Sequence, residues 1–221
     1  MERWATFDCY GTLVDWNAGI RGELEKLFGA ERADELLARY HELEPRIQAA
    51  RPGASYREVL TIALELLAAE TGLSVPEGET SALARSLPEW PVFDDVRPGL
   101  AEARERGWRL AILSNTDRDL IDASIQAIGV EFDLAVVAGE IGSYKPARRH
   151  WEEFRERTGA GSAGHVHVAQ SLYHDIAPAV ELGIPCVWVN RLGEPDDPRP
   201  TRTVTGIAGL ADVLDELVPA A

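Results

Sequence analysis

Cysteine and methionine are nearly missing from this 221-residue chain: there are two of the first, Cys9 and Cys186, and one of the second. The two cysteines lie far apart, and neither sits in a paired Cys or His spacing of a zinc site. They read as buried thiols of a reducing compartment, so a cytoplasmic setting is expected. Long apolar runs are missing too, since nothing approaches the ~18 consecutive apolar residues of a membrane span. The N-terminus runs almost directly into a short apolar segment, where no signal peptide is expected. Basic residues are the third shortage, 22 Lys and Arg against 37 Asp and Glu, for a net charge of −15. With no basic patch to offset that repulsion, nucleic acid and acidic membrane surfaces are excluded as partners. A small anionic substrate would need cations placed locally.

What is present is an ordinary globular balance, 45% hydrophobic and 27% charged, in a length that suits one α/β domain with a small accessory unit. Trp4 to Phe7 is a short apolar run ending at Asp8 and followed by Gly11-Thr12, a buried strand with polar chemistry at its carboxyl end. From Trp16 to Trp90 the pattern is helical. Arg32 to Ala50 carries Leu36, Leu37, Tyr40, Leu43 and Ile47 near helical spacing, and Ser55-Tyr56-Arg57-Glu58 is a capping box opening a run to Gly72. About four helices without strands make an all-α module.

After Pro98-Gly99 helix and strand alternate. Strands are expected over Arg109–Leu113, Leu134–Ala138, His165–Ala169 and Cys186–Val189. Helices lie between them, several closed by glycine at 107, 129 and 183, and one runs from Asp175 to Leu182. Gly193 to Pro200 reads as a surface loop. Regular alternation means a parallel sheet wrapped by helices with right-handed crossovers. The fold class is therefore α/β: a Rossmann-like, doubly wound core over 1–15 and 91–221, with an inserted all-α helical cap over 16–90.

Ligands of such sheets bind at the carboxyl ends of the strands. Asp8, Thr12, Ser114, Asn115 and Asp175 fall there, and Lys145 follows in the turn Gly142-Ser143-Tyr144-Lys145-Pro146. Singly, each is also what a turn cap or a surface lysine looks like. Their joint placement at one sheet edge is the signal.

These residues carry a resemblance. Phe7-Asp8-Cys9-Tyr10-Gly11-Thr12-Leu13, Leu113-Ser114-Asn115-Thr116, Tyr144-Lys145-Pro146 and His174-Asp175 resemble, in order and spacing, the four motifs of the haloacid dehalogenase superfamily. The helical insert resembles its cap. Phosphatases of that superfamily carry a second Asp two residues past the nucleophile, as proton donor and then base; here the position is Tyr10, beside the nucleophile. The fourth motif, Ala169 to Asp175, offers one acidic side chain where magnesium would need two. A halide leaves without a proton, and Asp-x-Tyr-Gly-Thr with Ser-Asn is similar to the L-2-haloacid dehalogenases.

The resemblance implies hydrolysis of small (S)-2-haloalkanoic acids to 2-hydroxy acids with inversion, without metal or other cofactor. Asp8 would attack C2 and form an ester that water then opens. Lys145 would hold Asp8 and lower its pKa, Thr12 would orient it, and Asp175 would position Lys145 or the water. Ser114 and Asn115 would bind the substrate carboxylate, and Arg39 of the cap with Asn115 would cradle the halide, with Arg46 as the rival in another register. Ser171 and His174 are the candidates for positioning water. Trp151 stands where the family has a tyrosine, and is expected to pack. A homodimer is compatible with the resemblance. The competing readings are a magnesium-dependent phosphatase of small phosphate esters and a non-catalytic member of the superfamily.

Overall fold

The computed structural model describes residues 2–220. Six parallel strands form one sheet: β1 (Arg3–Phe7), β2 (Trp108–Ser114), β3 (Leu134–Val137), β4 (His165–Ala169), β5 (Cys186–Val189) and β6 (Arg202–Val204), in the order β3-β2-β1-β4-β5-β6. β1 is buried along its whole length, as a central parallel strand covered on both faces must be. The chain leaves β1 toward β2 on one side and resumes on the other with β4. The carboxyl end of β1 is thus the switch point where doubly wound sheets open a crevice. The edge strand β6 is short and lies beyond the 193–200 loop; its three residues, mostly exposed, carry no apolar alternation by which to read it.

Between β1 and β2 come α1 (Trp16–Phe28), α2 (Ala30–Ala50), α3 (Tyr56–Glu70), α4 (Ala82–Ser86) and α5 (Val96–Glu105). The first four pack on one another as an all-α cap. α3 starts at the capping box, with Ser55 and Glu58 satisfying each other's backbone N–H groups. α2 contains Pro45, which removes the N–H that would bond the His41 carbonyl. The passages into and out of the cap run side by side: Val14 bridges Val92, and Asp15 N donates to Pro91 O at 2.7 Å. We propose the cap boundaries at this pair of crossings, near 15 and 91.

The remaining helices are α6 (Arg118–Ile128), α7 (Ala138–Ile141), α8 (Arg149–Thr158), α9 (Ala177–Glu181) and α10 (Leu210–Leu217). The helix expected from Asp175 begins instead with a π-turn over Leu172–Ile176 that passes into α9. Such one-turn π segments insert a residue and re-aim side chains. One apolar cluster runs through β1, α5 and the cap, and a second lies on the other face of the sheet around Trp4, Trp151 and Trp188. Trp151 packs edge-on against His167 at 5.3 Å. Cys9 and Cys186 are unpaired and buried. Among the described residues no helix is long and apolar enough to cross a membrane.

Candidate active site

Asp8 follows the last residue of β1, and its amide donates to the Val168 carbonyl of β4 at 3.1 Å. The chain then turns sharply, with the N–H groups of Thr12, Leu13 and Val14 converging on the Cys9 carbonyl. Gly11 takes φ +91° in this turn, a conformation that favours glycine. The turn brings Thr12 Oγ1 back to donate to Asp8 Oδ2 at 2.8 Å, while the same hydroxyl accepts from Gln170 N at 2.9 Å. Its single proton is thereby committed to the carboxylate.

Lys145 reaches the site from the loop after α7, its side chain 1% exposed. Its ammonium donates to Asp8 Oδ1 (2.9 Å), Asp175 Oδ1 (2.7 Å) and Leu113 O (2.8 Å). That uses all three of its N–H bonds. Behind it, His167 Nε2 lies 3.0 Å from Asp175 Oδ1, and Thr6 Oγ1 lies 2.8 Å from His167 Nδ1 and 2.7 Å from His165 Nε2. His167 was hidden from sequence reasoning because it alternates with valines in β4 and looks like strand filling.

Burial sets the proton affinities. It raises the Asp8 carboxyl above its ordinary value, outweighing the pull of Lys145 and Thr12. The lowering by Lys145 expected from the sequence is present but does not win. Burial acts on Asp175 too, yet there Lys145 and His167 override it and hold the carboxyl below its usual range.

Asp8 opens on a cavity of about 760 Å³ between the sheet edge and the cap. That is the volume of a pocket for a mid-sized ligand, several times a three-carbon acid. Ser114 lines it, and its Oγ is buried without a hydrogen-bond partner. Asn115 joins cap and core: its Nδ2 donates to Gln48 Oε1 of α2 (3.3 Å) and Lys145 O (3.1 Å), and its Oδ1 accepts from Lys145 N (2.6 Å). Both ends of its amide are occupied, so binding a halide would displace Gln48. The π-turn places Ser171 and His174 on the cavity, Ser171 Oγ lying 3.1 Å from His174 Nδ1. Burial lowers the His174 pKa and favours the neutral ring.

Arg39 does not join them. It lies on the outer side of α2, where Nε donates to Glu70 Oε2 at 2.7 Å and Nη1 pairs with Glu42. The cavity-facing stripe of α2 is Leu37, His41, Glu44, Pro45 and Gln48. Arg39 sits two residues from this stripe, about 200° round the helix, and exposed Arg46 faces the same outer side. Tyr10 does line the cavity, but its ring stacks on Tyr56 at 6.2 Å and meets Trp90 edge-on at 5.8 Å, and its hydroxyl lies 3.0 Å from Ser124 Oγ. Burial pushes its pKa far up, so it is a packed phenol rather than an acid replacing aspartate.

A doubly wound sheet with a buried, lysine-held carboxylate at its switch point and a helical cap above it defines a class of capped, Rossmann-like hydrolases. The chain belongs to the haloacid dehalogenase-like hydrolases, whose family model matches residues 3–183. It is 28% identical over 192 residues to the (S)-2-haloacid dehalogenase of Pseudomonas sp. (strain YL), covering 85% of this chain and 82% of that one. It is 28% identical over 191 residues to haloacetate dehalogenase H-2 of Moraxella sp. (strain B), covering 85% of each. Its fold matches that of the Xanthobacter autotrophicus L-2-haloacid dehalogenase with chloropropionic acid covalently bound, at a TM-score of 0.85, 19% identity, and 97% and 98% coverage.

Proposed function

We propose that the chain hydrolyses small 2-haloalkanoic acids through an ester on Asp8. The observation that carries this reading is the lysine between two carboxylates. Lys145 fixes Asp8 as an oriented carboxylate, and it spends Asp175 on the lysine. The Asp8 oxygen attacks C2, the carbon–halogen bond breaks, and the halide leaves with the electron pair. Water then adds to the Asp8 carbonyl carbon and releases a 2-hydroxy acid, inverted at C2 by the first displacement. Ser171 and His174 stand where they would orient that water, and the unpartnered Ser114 hydroxyl is available to the substrate carboxylate. The two dehalogenase relatives support the same class of reaction.

A magnesium-dependent phosphatase fits less well. Its ion would draw on Asp8 and Asp175, and Asp175 Oδ1 already accepts from Lys145 and lies against His167. Gln170 follows β4 with no charge to add, and no three ligating side chains stand together among the described residues. The donor set does not suit a hard divalent cation, and Tyr10 offers no acid for an alkoxide.

The test is halide release from L-2-chloropropionate and L-2-bromopropionate in EDTA, for wild type and Asp8→Asn, beside p-nitrophenyl phosphate with magnesium. Halide released by wild type alone supports the reading. Magnesium-dependent phosphate release without halide would overturn it. Silence from both assays, with ligand affinity unchanged in Asp8→Asn, would leave the non-catalytic alternative.

A further inference from the structure

A departing halide needs a partner, and the cations of the cavity wall are already paired. Among the described residues that line it, Lys145 uses every N–H on protein oxygens. Arg21 is paired with Glu25 and Asp34, and Arg191 with Asp95 and the Thr12 carbonyl. The cap wall opposite Asp8 carries a carboxyl group instead. Glu44 is 6% exposed and has no ion-pair partner among the described residues. Tyr56 Oη donates to its Oε1 at 2.9 Å. Its Oε2 has no hydrogen bond among the described residues, and the residue lines the cavity. If the group holds a proton, that proton belongs on Oε2, the oxygen that Tyr56 leaves free.

We infer that Glu44, as the neutral acid, is a further catalytic residue, donating a hydrogen bond from the cap to the departing halide in place of a cationic cradle. The inference rests on the Asp8-centred hydrolytic reading and gives its leaving group a partner. As the Asp8 oxygen bonds to C2, the halide takes the electron pair and collects the Oε2–H hydrogen bond. The proton stays on Glu44, and no further reactant is required.

The surroundings favour the acid form. Tyr40 lies near Glu44 on its own helix, Tyr56 on α3, Tyr144 on the loop after α7 and Asp8 at the sheet edge. Arg21, His41, Lys145, Asp175 and His174 line the same cavity. The two cations of this set are held by other carboxylates. Burial, with a smaller contribution from Asp8, pushes the Glu44 carboxyl up to about 7. The donor is therefore present below neutrality and lost above it, opposite to the requirement of Asp8, which must be ionised to attack.

Bromide itself is the probe, titrated into the whole protein and followed by saturable quenching of tryptophan fluorescence, to which Trp16 in the cavity wall contributes. Wild-type affinity is expected to fall about tenfold per pH unit above the Glu44 transition. Glu44→Gln keeps an N–H donor and does not titrate, so its affinity stays level. The pH profile of kcat/KM on L-2-bromopropionate should lose its descending alkaline limb in the same variant. Affinity independent of pH in wild type, the same alkaline loss of affinity in Glu44→Gln, or no saturable bromide binding would overturn the inference. Those outcomes are read without turnover, so they are distinct from a failure of wild type to release halide, which strikes at the Asp8 reading.

Discussion

Lys145 Nζ lies 2.9 Å from Asp8 Oδ1, in a place where neither side chain has more than a tenth or so of its surface in water. Such a pair is held in balance rather than strongly stabilising, because desolvation of both charges offsets most of their attraction. Removing one member upsets the balance. Lys145→Met strands Asp8 and Asp175 together in the interior, and should cost about 3–5 kcal/mol at neutral pH. Halide release should disappear with it. The pH dependence of stability is the sharper readout. In wild type, Asp175 is held below its ordinary value, so its contribution is present above the unfolded pKa and lost as pH falls through the folded one. In Lys145→Met both carboxyls are raised, so acidification from neutrality restores stability. The variant should therefore gain on wild type in urea melts as pH falls from neutrality, and a difference that does not vary with pH would show that the ammonium does not govern the charge of these carboxyls.

The acid limb of activity reports Asp8 itself. A raised carboxyl loses its charge at a higher pH than an ordinary aspartate. Turnover should therefore decline, on lowering pH, before free aspartate would protonate. A kcat/KM profile that stays flat down through the ordinary aspartate range would contradict the balance of burial over the lysine.

Arg39 tests the register of the cap. Its guanidinium is held by Glu70 and Glu42 on the outer side of α2. Arg39→Gln should leave halide release unchanged, while Glu44→Gln, on the inner side of the same helix, alters its pH profile. A large loss of kcat in Arg39→Gln would require the cap to present a different face to Asp8 during turnover.

This contrast also shows where the sequence was legible. Asp8, Ser114 and Asn115 could be read because each ends an apolar run, and strand ends in a parallel sheet share one edge. Lys145 could be placed by its motif, although its three hydrogen bonds are made to residues distant in the chain. α2 was harder. Its core-facing residues, Leu36, Tyr40, Leu43 and Ile47, announce a helix with one buried face. The neighbouring stripe of His41, Glu44 and Gln48 is polar and resembles a solvated surface until the sheet edge is set against it. Arginine was the residue type that a halide suggested, and it stood on the wrong side. The π-turn at Leu172–Ile176 was out of reach for a similar reason, since an inserted residue does not change composition.

Thr6 is the far end of the polar chain that reaches Asp175. Its hydroxyl lies within hydrogen-bonding distance of both His165 Nε2 and His167 Nδ1, and all three residues are buried. Burial lowers the His165 pKa to about 3, so that ring is neutral. Its Nε2–H donates to Thr6 if the hydroxyl proton goes to His167 Nδ1, which leaves His167 Nε2–H for Asp175. Thr6→Val keeps the shape and strands one nitrogen on each ring, and should cost about 1–3 kcal/mol. Chemical denaturation measures it, and a stability unchanged from wild type would mean that the two rings find other partners.

Glu44 gives the last prediction, and stability alone can test it. A carboxyl held near 7 in the folded protein, against an ordinary 4.5 when unfolded, binds its proton more tightly when folded. Between those values the folded state holds more protons than the unfolded state, so stability must fall as pH rises. Over the whole interval the loss amounts to about 3 kcal/mol at 1.36 kcal/mol for each pH unit between the two pKa values. Glu44→Gln removes it while leaving an acceptor for the Tyr56 hydroxyl. The variant should therefore gain on wild type as pH rises from the ordinary carboxylate range through neutrality, with a constant difference above about pH 7. Differential melts at a series of pH values read this directly. A difference that does not vary with pH would mean that Glu44 is ionised throughout, and a carboxylate there would repel the halide it is proposed to receive.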